Sequence, residues 1–275
     1  DPIVATSIVT GELAEKHLPD RLRHLLSAES GINDGLAYPL VLLPILLLTQ
    51  AMGEPIKTWF WHSVLWEVGG AVLFGILLGI IAGGLLRWAE EKKEIEHPSF
   101  LGYTIALSLL ALGAAKLLGT DGILAVFVTG LAFDRMVGTK ERAEEEKVQE
   151  AINYFFTLPV FVLLGLLLPW EQWRHLGWPE ASLAVTVLLL RRLPVLLIFK
   201  RGIPQLPSWP DAWFLGWFGP VGISAIFYAM LALRRTGRED LWPVASLIIC
   251  ASLVAHGMSA APLTRIYGRR QAVRG

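Results

Sequence analysis

Cysteine is almost missing from this chain of 275 residues: Cys250, inside an apolar run, is the one example. A lone cysteine builds neither a disulfide framework nor a thiolate metal cluster. Net charge is missing too, because 24 Lys and Arg balance 24 Asp and Glu, so a polyanionic partner such as nucleic acid is not implied. The six histidines include no pair at i, i+4, and no Ser–His or metal-ligand spacing stands out. The chain is therefore read as a non-enzyme that needs no cofactor. No low-complexity tract and no domain-sized polar segment is found.

Long apolar runs are abundant instead. Hydrophobic residues make up 54% of the chain, and its mean hydropathy is +0.52. A helix crossing a bilayer needs about 20 mostly apolar residues. Stretches of that kind are Ala28–Gln50, Val68–Leu86, Ser99–Leu118, Ala151–Pro169, Ala181–Phe199, Ala212–Leu233 and Leu241–Leu263, with Gly122–Phe133 as a short eighth. Most of the eleven tryptophans fall near their ends, as in an interfacial aromatic belt. With eight spans, sixteen Lys and Arg fall in the loops of one side and five in those of the other. That bias puts the C-terminus in the cytoplasm. The expected organisation is an N-terminal piece over 1–27 (the end of a broken helix and a cytoplasmic connector), a transmembrane domain over 28–268, and a cytoplasmic tail over 269–275.

Charges inside apolar runs carry the functional signal. Arg191 and Arg192 interrupt the Ala181–Phe199 run, and Glu29-Ser30-Gly31-Ile32-Asn33-Asp34 opens the Ala28–Gln50 run. A charge near the bilayer centre costs about 2.5–3.5 kcal/mol on insertion scales, so chains keep one only where it pairs, faces protein or lines an ion path. At about 100° per residue, Glu29, Ser30, Asn33 and Asp34 share an arc of roughly 140° on a helix. That face offers oxygen donors suited to a hard monovalent cation. Glu29 and Asp34 are candidate partners for the arginines.

Two places look like interrupted helices. One is Asp1-Pro2; the other is Gly216-Trp217-Phe218-Gly219-Pro220-Val221-Gly222, within the Ala212–Leu233 run. Proline lacks an N–H and disfavours helix in the residue before it. Broken backbone at membrane depth survives only when buried in protein or lining a wet cavity. Asp1 would add a third carboxylate to the cluster on Ala28–Gln50. The glycines of Gly69-Gly70, Gly75, Gly79 and Gly83-Gly84 point to close helix packing rather than chemistry. His256 reads as a packed or hydrogen-bonded core residue.

In order and spacing, Asp1-Pro2-Ile3-Val4-Ala5, Glu29-Ser30-Gly31-Ile32-Asn33-Asp34-Gly35, Arg191-Arg192-Leu193-Pro194-Val195 and the Gly216–Ile223 stretch resemble the monovalent cation–proton antiporters, in their NhaP and sodium/proton exchanger branch. The resemblance covers nearly the whole chain. It implies an all-α, multi-pass membrane protein, the C-terminal part of an inverted-repeat fold with broken crossing helices around Pro2 and around Gly219, Pro220 and Gly222. It implies a chain that starts inside the fifth helix of a longer protein. Such a piece alone is expected to enter membranes without exchanging ions.

The resemblance further implies that Asp34 binds a monovalent cation (Na+, with K+ or Li+ as alternatives) and a proton in turn, with Asp1 and Ser30 close by. Asn33, where electrogenic relatives carry an aspartate, implies electroneutral exchange. Glu29 is expected to pair with Arg191 in preference to Arg192. The expected partners are the lipid bilayer, the cation and H+, and a second copy of the full-length protein, in the cell membrane. The competing reading, a cation channel, suits the cluster less well, because channels repeat a filter by symmetry.

Overall fold

The computed structural model describes residues 12–50, 53–92, 100–137, 155, 157–204 and 206–272, with the backbone alone at 12, 34, 35, 90, 100, 101, 271 and 272. Among the described residues every regular element is helical. The helices are α1 (Glu12–His17), α2 (Asp20–Thr49), α3 (Glu54–Thr58), a π-helical segment (Trp59–Gly69), α4 (Gly70–Glu91), α5 (Phe100–Leu117) and α6 (Gly122–Val137). They continue as α7 (Thr157–Leu166), α8 (Trp170–His175), α9 (Trp178–Leu190), α10 (Leu193–Phe199), α11 (Trp209–Trp217), α12 (Ile223–Thr236) and α13 (Leu241–Ala272).

Four prolines mark where helices begin. Pro55, Pro179, Pro194 and Pro210 occupy the first or second position of α3, α9, α10 and α11, where a missing N–H costs nothing. Gly237 ends α12 in the left-handed region at φ 67°.

Among the described residues, four stretches are long and apolar enough to cross a membrane: Asp20–Thr49, Glu54–Ala89, Trp178–Gly202 and Leu241–Arg270. Gly102–Leu117 and Thr157–Leu166 are shorter apolar helices. Where their residues are described, the eight runs read from the sequence fall mainly on helix, and two of them are interrupted. Ala212–Leu233 breaks between α11 and α12, at the glycines and proline expected to break it. Ala181–Phe199, read as one span, also breaks, after Leu190. The reason is Pro194, which has no N–H to donate to the turn before it and sits in the first turn of the helix that restarts at Leu193. Large apolar side chains point outward along the long helices, with Leu117 91% and Trp178 87% exposed. In water such a surface would be costly; against hydrocarbon it is not.

The chain divides into two compact units, one of Asp1–Gly31 with Val160–Gly275 and one of Ile32–Pro159. The core of the first gathers Leu18, Leu22, Leu26, Leu206, Phe214, Phe218 and Tyr267. In the second, α4 lies against α6 at very short range. A Cβ at Gly75 would fall 2.8 Å from the Ala125 carbonyl oxygen, and one at Gly79 would fall 2.5 Å from that of Thr129. These are backbone atoms that cannot step aside. Gly79→Val should therefore separate the two helices and lower the thermal unfolding temperature in detergent, at a cost of about 1–3 kcal/mol. Valine at Gly84, where a Cβ meets nothing, is the control and should be close to neutral.

Candidate functional site

Breaking a helix leaves carbonyls without partners at the end of the first half. In the gap between α11 and α12 the carbonyls of Trp217, Phe218 and Gly219 are each met by a side chain from elsewhere. The Arg192 guanidinium donates to the Phe218 carbonyl at 2.9 Å, and that of Arg191 donates to the Gly219 carbonyl. His256 Nε2 lies 2.9 Å from the Trp217 carbonyl, which it reaches as a donor. The Val221 N–H donates to Ser252 Oγ at 2.8 Å. Phe218, Gly219, Pro220 and Gly222 are all buried. The arginines also stand at the negative end of the α11 dipole, where cations are favoured.

Gly219 is what lets the arginines in. A Cβ there would come within 2.7 Å of both Cδ and Nη1 of Arg192. Gly216 does something similar a turn earlier, where a Cβ would sit 3.2 Å from the Leu193 Cα, so α11 approaches α10 closely.

The ion pair runs from Arg192, not Arg191, to Glu29. Arg192 Nη2 lies 2.9 Å from Glu29 Oε2, with the Arg192 side chain 14% exposed and that of Glu29 33%. The sequence favoured Arg191. The break after Leu190 explains the difference: Arg191 still has helical backbone, whereas Arg192 has left it, at φ −129° and ψ −45°. One arginine is thereby turned to the gap alone, and the other reaches both the gap and α2. A cavity of about 320 Å³ lies beside the pair, lined by Leu25, Glu29, Arg191, Arg192, Val195 and Leu215 among others.

The remaining candidates are placed as follows. Ser30 is buried on α2, one residue from Glu29, and Asn33 is exposed on the same helix. Asp34 is helical, in α2, and its side chain lies outside the described atoms. Asp1 and Pro2 lie outside the described residues.

A second buried acid in this unit was not anticipated. Asp211 is fully buried at the start of α11, and it accepts from Arg21 at 3.0 Å and from the Tyr267 hydroxyl at 2.5 Å. It also closes a capping box with Ser208. The signal in the sequence was Ser208-Trp209-Pro210-Asp211, a capping-box spacing followed by an apolar run. The long-range partners, Arg21 and Tyr267, carry no such local mark. This group ties α2, α11 and α13 together at the end of α11 opposite the break.

Long apolar helices, two of them interrupted, with arginine side chains held against one of the gaps, define an all-α, multi-pass membrane protein. The chain belongs to the sodium/hydrogen exchanger family: the family model described as sodium/hydrogen exchanger, transmembrane, matches residues 1–266. Among curated proteins it is 34% identical to Na(+)/H(+) antiporter 2 of Zygosaccharomyces rouxii, over 95% of this chain and 36% of that protein. It is 33% identical to the Na(+)/H(+) antiporter of Saccharomyces cerevisiae, over 96% of this chain and 30% of that one. A K(+)/H(+) antiporter NhaP2 of Shewanella sp. (strain ANA-3) is 27% identical, over 92% of this chain and 44% of its own length. The chain thus spans about a third of the yeast relatives. No solved structure matches it.

Proposed function

We propose that this chain carries the ion-handling helices of a secondary transporter that exchanges a monovalent cation for H+ in the cell membrane, with its C-terminus in the cytoplasm. The observation that supports it most is the Glu29–Arg192 pair set against the α11–α12 break, in a chain of the sodium/hydrogen exchanger family. Asp34 is the exchanging group in this reading. A carboxylate withdrawn from bulk water must be neutralised, by a proton or by a cation. The two compete for the same oxygens, so loading one expels the other. If only the neutralised states cross, one-for-one exchange follows.

Glu29 does not compete for that role, because Arg192 already neutralises it. Ser30 and Asn33 share its helix, and Asp1 completes the site. Na+ is the favoured cargo, given the names of the yeast relatives, and K+ is the next, given the bacterial one. Asn33 favours electroneutral exchange, and the whole protein works as a homodimer in this reading.

The test uses the full protein in proteoliposomes with a preset pH gradient and a pH-sensitive dye. Adding Na+ or K+ with no imposed voltage should dissipate the gradient. The rate should not change when the membrane potential is clamped with an ionophore. A rate that scales with the clamped voltage, or conductance without proton movement, would favour a channel and sink the proposal.

A further inference from the structure

The unit of Ile32–Pro159 holds a polar cluster that the exchange mechanism above does not use. It lies where the π-helical segment meets the connection between α5 and α6. The Asp121 N–H donates to the Glu67 carbonyl at 3.0 Å, so the two acids are neighbours through their backbones. Asp121 is buried, at 9% exposed, and the Glu67 side chain is largely covered, at 13%.

One oxygen of each carboxylate is served. The Tyr38 hydroxyl donates to Glu67 Oε1 at 3.2 Å, and the N–H groups of Ile123 and Leu124 donate to Asp121 Oδ1 at 3.0 and 3.1 Å. The other oxygens, Glu67 Oε2 and Asp121 Oδ2, are buried without a hydrogen-bond partner. Ser63, four residues before Glu67 and fully buried, is a third orphan, with its Oγ unpartnered. A buried polar atom left unmade costs about 1–3 kcal/mol, more when charged. Three in one place need a common explanation.

The groups facing the pair are few. His62 Nε2 lies 3.7 Å from Glu67 Oε1, with its side chain 60% exposed. Tyr38 comes from α2. Lys116 of α5 is exposed, and α4 supplies no titratable residue before Arg87. Among the described residues no Lys or Arg forms an ion pair with either acid. Two ionised carboxylates would therefore put two like charges in a buried site that offers them neutral donors. One proton changes this: it cancels one of the two charges and supplies a hydrogen to a pair of orphan oxygens that have none. The remaining charge is then held by Tyr38, Ile123 and Leu124. Burial accordingly raises the Asp121 carboxyl above its ordinary range. The N–H groups of Leu124 and Ile123 pull the other way, and the Glu67 charge adds to the rise.

We infer that Glu67 and Asp121 form a proton-binding site that holds one proton between them, with Ser63 completing the cluster and His62 as the group through which that proton reaches water. The site is built from residues of one unit and does not depend on the role given to Asp34.

Infrared spectroscopy of the full protein in lipid nanodiscs tests it, in an Asp34→Asn background so that the α2 carboxyl does not contribute. A protonated-carboxyl band should persist at neutral pH. Glu67→Gln, which removes the like-charged neighbour, should move the Asp121 titration to lower pH by about one unit, a tenfold weaker proton affinity. Isotopic labelling of aspartate carboxyls needs no change in the site, and it should shift the band in frequency. His62→Ala should slow hydrogen–deuterium exchange of the band without moving its position.

Absence of the band at neutral pH would overturn the inference, and so would a titration that Glu67→Gln leaves unmoved. Loss of the band on adding Na+ or K+ but not choline would also overturn it, by making a cation the occupant. An unchanged exchange rate in His62→Ala would remove His62 from the site.

Discussion

Asp34→Asn should bring cation-driven proton movement by the reconstituted full protein down to the level of protein-free vesicles, with expression and thermal stability close to those of the parent. The amide keeps the size and hydrogen-bonding oxygen of the side chain but has no charge to exchange. On α2 the nearest other acid is Glu29, and it is held at 2.9 Å by Arg192. A carboxylate committed to a guanidinium does not swap its partner during each cycle, so no substitute is at hand on that helix. Retained cation-dependent proton flux in the variant would move the exchanging role to Asp1. Dye-monitored flux and size-exclusion profiles from one preparation separate loss of transport from loss of folding.

The second large effect is expected at Arg192. Arg192→Ala should destabilise the protein by about 3 kcal/mol, the lower end of the range for breaking a buried pair, because a third of the Glu29 side chain remains accessible. It also deprives the Phe218 carbonyl of its donor. Glu29→Gln should cost less, since the arginine keeps its bond to the gap. In a double-mutant cycle read by thermal unfolding, Glu29 and Arg192 should couple strongly, and Glu29 and Arg191 more weakly. Strict additivity for Glu29 with Arg192, together with coupling to Arg191, would reverse the assignment made from the geometry.

Much of this was legible in the sequence, for definable reasons. Apolar length announces spanning helices, and Gly219-Pro220-Val221-Gly222 announces an interruption, because both effects are local to the chain. The glycines at 75, 79 and 83 announced close packing, since only a missing Cβ admits a neighbouring backbone at that distance. The pairing of Glu29 was not legible to the residue. Arg191 and Arg192 have the same chemistry, and what separates them is one change of backbone angle where Pro194 restarts the helix. Asp211 was missed for another reason: its partners lie 190 and 56 residues away along the chain, and only the fold brings them together. Glu67 and Asp121 stand at the margins of apolar runs, and their orphaned oxygens are a property of burial, which a margin position conceals.

The gap between α11 and α12 is spanned by side chains where an intact helix would use its own backbone. Trp217, Phe218, Gly219 and Val221 are each fastened to another helix, two of them to α13 through His256 and Ser252 and two to the arginine turn between α9 and α10. Such an arrangement is stiff against bending but free to travel with what it is fastened to. Any working cycle must carry the two half-helices, the arginine turn and α13 together as one block, because tearing the gap from its moorings would strand several carbonyls at once. Amide exchange at Val221 should then be as slow as in the middle of α13, making the nominal defect in the helix one of the least yielding points of the molecule.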